Sequence, residues 1–556
     1  MRPLQQRDWT FIAAVAVLTL VAVVRVGSTH RVFSATVDEP IHLASGYEWF
    51  KDELTTDMTH PPLARILGAL PLRLQGLPYP RPAGMVDRGN QLLYHGDRYV
   101  KNLARARIGN LALLALAIVS VAAWARRVFP RGVAIAAAAL FTSHPLLLGH
   151  AGLITTDLAV AATLPLALLA LDCYLESPTW KRGALLGVAI ALGVLSKFSF
   201  FVFFPPCVVV MLLLRRPVGG WRLTVDGEER LARGALPPTA NRQPPTRRIA
   251  TLLVALAVAF ITAWGGYRFD VGRPSEVIER GDEILDWAAP KPLKPLARLM
   301  GRIPLPAPTL PLGMAQVKLH ETLGHTAYLL GRESRTGWWY YFPVVFFYKS
   351  PLPWLILVAW GAIALMRDRN RAVFFATAAA ILLTAMTTSL NIGARHVLPI
   401  VGPLSICAGY AVVHIWRTSR DLFGRSALVA LLAWLTIGVS AEHPDYLAWY
   451  NELAQPNPSW FAADSNIDWG QDVLRLARVV QELQIPHLHT AFMNSTRLGV
   501  HGIHATSLVP HQRVTGWVAV SENWLRFGEA KGDYDWLSSY RPVRQVGKTI
   551  RLYYIE

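Results

Sequence analysis

Charge is scarce in this chain, and cysteine is nearly absent. Only 17% of its 556 residues are charged against 53% hydrophobic, too little polar surface for an ordinary soluble enzyme of that size. The three cysteines, Cys173, Cys207 and Cys407, each lie in or beside an apolar run, which excludes a disulfide framework and a CxxC metal site. No HExxH or EF-hand spacing occurs. No convincing small-x-small cleavage site follows the apolar stretch in residues 1–25, so that stretch reads as an uncleaved anchor. Neither paired repeats nor charge near span centres is evident, which disfavours a secondary transporter or lipid flippase.

What the chain has instead is long apolar runs. They lie near residues 10–25, 108–124, 132–148, 156–172, 184–196, 198–214, 249–265, 352–366, 373–390, 397–416 and 426–440, which predicts a polytopic α-helical membrane protein with about eleven transmembrane helices. The net charge of +18 comes from short Lys and Arg clusters between these runs, a topology signal rather than a nucleic-acid surface. "MRPLQQR", "RRVFPRG", "SPTWKRG", residues 215–248, "MRDRNR" and "RTSRDLFGR" alternate with nearly uncharged connections. The expected topology has a cytoplasmic amino terminus and an outer carboxyl terminus. Residues 1–440 form the membrane domain, with outer loops at about 26–107 and 267–350 and a Pro-rich basic cytoplasmic linker at about 215–248.

Ionisable residues gather on the outer rim. "SATVDEPIHLASGYEWF" sets Asp38 and Glu39 side by side after the first run, and "THPPLARIL" places His60 before a Pro-Pro turn. "LITTDLAV" puts Asp157 at the entrance of the fourth run, while Lys197, Arg395 and His396 lie on connections otherwise almost free of charge. Each has a plain reading: a solvated acid for Asp38, a helix N-cap for Asp157, a snorkelling side chain for Lys197, an interface anchor for Arg395, a turn residue for His60. Together they bring acids and cations from five connections to one side, where ionisable groups are costly and usually functional. Arg105 and Arg107 are second-rank candidates by position.

The stretch from His320 to Phe342 combines His325, Tyr328, Arg332, Trp338, Trp339, Tyr340 and Tyr341, as an interfacial aromatic belt would. Beyond residue 441 the hydropathy drops. "DWGQDVLRLARVVQELQ" has helical amphipathic spacing, and "HLHTAFMN", "RVTGWVAVS" and "TIRLYYIE" read as strands, predicting a small outer-face α/β domain over residues 441–556. Asp464, Asp468 and Asp472 lie four apart near the start of that helix, where its amino end favours acids; a calcium site there is the lesser reading.

"VDEPIHLASGYEW", "HPPLARIL", "LITTDLAVAA", "LSKFS", "LGHTAYLLGRESRTGWWYYFPVVFFYKSPLP" and "GARHVLPI" resemble the bacterial polyprenyl-phosphate-sugar-dependent glycosyltransferases of the GT-C fold, relatives of the protein O-mannosyltransferases and lipid A aminoarabinose transferases. "ADSNIDWGQDVLRLA" is similar to the outer carboxyl-terminal region of the same group. The resemblance implies a multi-pass protein of the inner (plasma) membrane. It would move a sugar from a polyprenyl-phosphate donor to an acceptor hydroxyl of a glycan, lipid or protein, by inverting displacement. It further implies Asp38 as base, Glu39 in support and Asp157 at acceptor or base. Arg395 and Lys197 would bind the donor phosphate, with His396, Arg107 and Arg105 behind them. His60, His325, Tyr328, Tyr340 and Tyr341 would line a substrate loop. Protein O-mannosylation is the alternative within the superfamily, transport the alternative outside it. No metal ligands are assigned. Thr59 and His60 stand where the aminoarabinose branch has Glu-Lys, which counts against a metal, and a divalent cation stays open.

Overall fold

The computed structural model describes residues 8–51, 57–214, 245–419 and 421–556. Most of the linker expected at 215–248 lies outside them. All eleven apolar runs are helical at their centres. Among the described residues, six helices are long and apolar enough to cross a bilayer: Trp9–Gly27, Tyr99–Val128, Asp157–Glu176, Thr246–Gly266, Ala394–Thr418 and Leu422–Ala441. Two bent pairs, Arg131–Thr142 with Pro145–Ala151 and Tyr341–Tyr348 with Leu352–Leu365, bring the number to eight if each pair is one span. The bends, 64° and 120°, come where His144-Pro145 and Ser350-Pro351 interrupt the backbone ladder. Eleven separate spans are therefore not established, but the chain is a multi-pass helical membrane protein.

Asp157–Glu176 runs through the centre of the bundle, whereas Trp9–Gly27, Thr246–Gly266 and Leu422–Ala441 lie at its edge. The edge helices leave Leu20, Val24, Phe260 and Ile437 exposed, as lipid-facing residues should be. The main core joins Trp124, Phe141, Trp354 and Phe374 across four helices, all nearly inaccessible.

Between the first two long helices, the described residues include three short α-helices, Glu39–Glu48, Leu63–Leu74 and Met85–Leu93. The first two touch through Gly46, where a Cβ would lie 2.0 Å from the Arg65 carbonyl oxygen. Any larger residue there would force apart the helix that begins at Glu39.

Near the carboxyl terminus a five-stranded mixed sheet has the spatial order Ala505–Ser507, Leu488–Ala491, Gly516–Ser521, Ile550–Ile555, Arg544–Val546. The first three strands pair in parallel and the last two join them antiparallel. Helix Val473–Glu482 covers one face, packing Val473, Leu476 and Val480 on Leu488, Ala519 and Leu552. The three expected strands and the amphipathic helix are all present.

Candidate active site

Asp38 stands at the start of helix Glu39–Glu48, and Asp157 at the start of helix Asp157–Glu176. Arg395 follows Gly393, whose φ of +147° suits glycine and whose Cβ would lie 2.6 Å from Ser465 Oγ. These three elements meet. Arg395 Nη1 lies 3.6 Å from Asp38 Oδ2 and 3.9 Å from Asp157 Oδ2, while Lys197 Nζ donates to Asp157 Oδ1 at 2.5 Å. Asp157 is therefore locked between two cations and 2% exposed, whereas the Asp38 side chain is 32% exposed. Of the two carboxylates, Asp38 is the accessible one. Burial raises its pKa above the ordinary aspartate value; Arg395 opposes this, and Asp157 and Asp464 reinforce it.

Glu39, its neighbour in sequence, is wholly buried. It accepts from Arg107 Nε at 2.8 Å and Nη2 at 2.7 Å, from the Ile154 amide at 2.9 Å and from the Thr36 amide at 2.8 Å. Burial alone would raise its pKa, but Arg107 and these amides outweigh it and hold the carboxylate below its usual range. Arg107 also donates to the carbonyls of His30, Phe33 and Ser34 at 3.2, 3.0 and 2.8 Å. With all its N–H groups engaged, Arg107 has none left for a donor phosphate; it is the clamp of Glu39. Arg105, exposed on the same helix, makes no ion pair among the described residues.

Replacing Arg107 with Met would strand the buried Glu39 carboxylate, and loss of one partner of such a pair typically costs about 3–5 kcal/mol. The expected result is a lower thermal unfolding temperature of the detergent-solubilised protein, partly restored in the double variant Glu39→Gln, Arg107→Met. An unchanged unfolding temperature in the single variant would refute the clamp.

Arg395 is supported from below by the Trp469 ring, with its guanidinium carbon 3.9 Å from the ring centre. Its buried Nε has no hydrogen-bond partner among the described residues. His396, next to it, tilts against Phe342 at 6.2 Å, and its Nε2 likewise lacks a partner among them. His150, which sequence reasoning passed over, approaches Trp469 at 6.1 Å, and its Nδ1 lacks a partner among the described residues.

Residues 464–472 tie the Asp38 and Arg395 loops together. Val37 and Ser34 donate their amides to the carbonyls of Trp469 and Gln471, both at 3.0 Å, and Ala394 donates to Asn466 Oδ1 at 2.9 Å. The buried Lys349 ammonium fixes the segment from behind, donating to the Leu447 and Asn466 carbonyls at 2.7 Å and lying 4.4 Å from the centre of the Tyr450 ring. The three aspartates do not gather at the helix amino end. Only Asp472 directly precedes that helix, without a side-chain capping bond. Burial pushes Asp472 up to about 6 and Asp468 up to about 7.

The expected substrate-loop residues part company. Tyr328 donates its hydroxyl to Glu529 at 3.0 Å, and the buried Tyr341 accepts from Asn466 Nδ2 at 3.0 Å. Tyr340 packs against the main core, and Trp339 is 68% exposed, as an interfacial aromatic would be. His325 lies 3.5 Å from Asp464. His60 faces His42 edge-on at 4.9 Å and lies 3.9 Å from Asp57. Burial holds both imidazoles neutral, His42 down to about 3 and His60 well below its usual value. His42, Asp57 and His60 are the one such trio among the described residues whose ligand atoms lie close enough for a metal, all within 4.8 Å of one another. Arg65, however, pairs with the Asp57 carboxylate and donates to His42 Nδ1 at 3.3 Å. These residues fit an Arg65-centred network better than a metal.

Residues 100–222 match the family model for dolichyl-phosphate-mannose-protein mannosyltransferase. No curated protein matches the chain. Among solved structures, the chain is similar to ArnT from Cupriavidus metallidurans bound to undecaprenyl phosphate, at TM-score 0.48 and 12% identity, covering 98% of this chain and 97% of that one. It is also similar to the oligosaccharyltransferase AglB from Archaeoglobus fulgidus in complex with an inhibitory peptide and a dolichol-phosphate, at TM-score 0.42 and 13% identity, covering 98% and 74%. The matched stretch holds Arg107, Asp157 and Lys197, so the likeness to the dolichyl-phosphate-mannose-protein mannosyltransferase family falls on part of the candidate site.

Proposed function

We propose that this protein transfers a sugar from a polyprenyl-phosphate donor to an acceptor hydroxyl on the outer face of the inner membrane. The amino terminus is then cytoplasmic and the sheet-containing region outside. The observation that carries the reading is the shared Arg395: an open carboxylate and a cation-locked carboxylate meet at one guanidinium. Such a centre offers a base beside a phosphate site.

Asp38 takes the proton of the acceptor hydroxyl as its oxygen attacks the anomeric carbon. The bond from that carbon to the phosphate oxygen breaks on the opposite side, inverting the centre, and the lipid phosphate leaves with the electron pair. Arg395 receives the growing charge, and Lys197 adds a second fixed cation. Asp157 holds both cations in place. Glu39, clamped by Arg107, fixes the turn that presents Asp38.

Protein O-mannosylation is the second reading, favoured by the description of the matched family. Purified protein supplied with undecaprenyl phosphate carrying mannose, glucose or 4-amino-arabinose, plus an envelope extract from a deletion strain, is expected to transfer label into the extract. Label confined to glycopeptides would select the second reading. Absence of transfer or sugar release from every donor would overturn both.

A further inference from the structure

Beside Asp38, Asp157, Arg395 and Lys197, the centre also holds Asp464. Its backbone is left-handed, at φ +63°, a conformation that Asp tolerates better than most residues but still at a cost. The side chain is 13% exposed and lies 3.5 Å from His325 Nε2 of the outer loop. The neighbouring residues fix it in place: Ser465 Oγ donates to the Ile392 carbonyl at 2.6 Å, and Asn466 Nδ2 to the Tyr341 hydroxyl at 3.0 Å. Its charge is felt at Asp38.

We infer that Asp464, with His325 beside it, is the acceptor-binding carboxylate of the centre and takes hydrogen bonds from the hydroxyl-bearing headgroup of the acceptor. The inference rests on the glycosyl-transfer reading and names a residue for the half of the reaction that the Lys197–Arg395 pair does not serve. An ionised carboxylate only accepts hydrogen bonds, and it repels the donor phosphate. Its partner is therefore a hydrogen-bond donor rather than an anion, and the hydroxyls of an acceptor headgroup are such donors. Both Asp464 and His325 belong to outer segments, the side from which a water-exposed acceptor enters.

Asparagine and glycine both suit the left-handed backbone, so Asp464→Asn and Asp464→Gly remove the charge without straining the chain; Asp464→Ala keeps the strain and removes the charge. The assay is label transfer from undecaprenyl-phosphate mannose, glucose or 4-amino-arabinose, using the donor that the wild type accepts, into the same envelope extract. All three variants are expected to lose about 10- to 100-fold in acceptor-dependent kcat/KM, with donor KM unchanged. The acid limb should also move to lower pH. Arg395, Asp157, Lys197 and Asp464 are the charged groups acting on Asp38, with Glu39 engaged by Arg107. Removing the Asp464 charge relieves an upward push on the Asp38 pKa.

Wild-type transfer in Asp464→Asn and Asp464→Gly, with loss in Asp464→Ala alone, would show a backbone role and overturn the inference while leaving glycosyl transfer standing. A rise in donor KM with acceptor KM unchanged would overturn it likewise. A wild type inactive on every donor would overturn the parent reading and this inference with it.

Discussion

Asp38→Asn is expected to lower sugar transfer by about 10²- to 10⁴-fold, the usual contribution of a positioned general base. The substitution keeps the shape of the side chain at the start of helix Glu39–Glu48 and removes only its ability to take a proton. Because the folded pKa of Asp38 lies above its unfolded value, ionised Asp38 is a burden that grows as pH rises through that interval. The variant should therefore be no less stable than the wild type near neutral pH, and an activity loss cannot be assigned to unfolding. In the wild type, activity should fall as pH drops through the raised Asp38 pKa, above the ordinary aspartate value of about 3.9. The residual activity of Asp38→Asn should lack that limb. Equal transfer by both proteins at neutral pH would remove Asp38 from the chemistry.

Arg395→Ala is expected to cost on the order of 10²- to 10³-fold in transfer, as loss of a preorganised group at a developing anion does. The effect should fall on donor use, with donor KM raised and kcat lowered. Arg395→Lys should recover part of the rate but not all, because an ammonium supplies one point of charge where the guanidinium supplies a planar fork. It should also lose the stacking on Trp469. The pH profile offers an independent check. Arg395 lowers the Asp38 pKa, so its removal should move the acid limb to higher pH, opposite to the effect of removing Asp464. An Arg395→Ala enzyme with wild-type kinetics would end the assignment.

The charged residues of this centre were legible because each interrupts an apolar or uncharged stretch: Asp38 after the first run, Asp157 before the fourth, Lys197 and Arg395 on bare connections. Which of two adjacent acids is left open was not legible from spacing. That depends on Arg107, 68 positions away from Glu39, whose guanidinium occupies one carboxylate and leaves the other open. The resemblance implies that Tyr328 and Tyr341 line a substrate loop, yet their hydroxyls are engaged by Glu529 and Asn466. Asp464 and Trp469 were hidden for the opposite reason. They precede an amphipathic helix and look like its polar lead-in, and only the tertiary pairing with Ser34, Val37 and Ala394 brings them to the centre. The apolar runs gave the helices, whereas the bends that divide them into spans follow from backbone chemistry at particular prolines.

The ties from residues 464–472 to the loops around Val37 and Ala394 also govern timing during biosynthesis. A ribosome releases the membrane helices first and this stretch much later. Until it is seated, Arg395 lacks its Trp469 support and the two loops are not joined. A nascent chain whose membrane helices are already inserted is therefore expected to hold an unassembled Asp38–Arg395 centre until residues 464–472 dock.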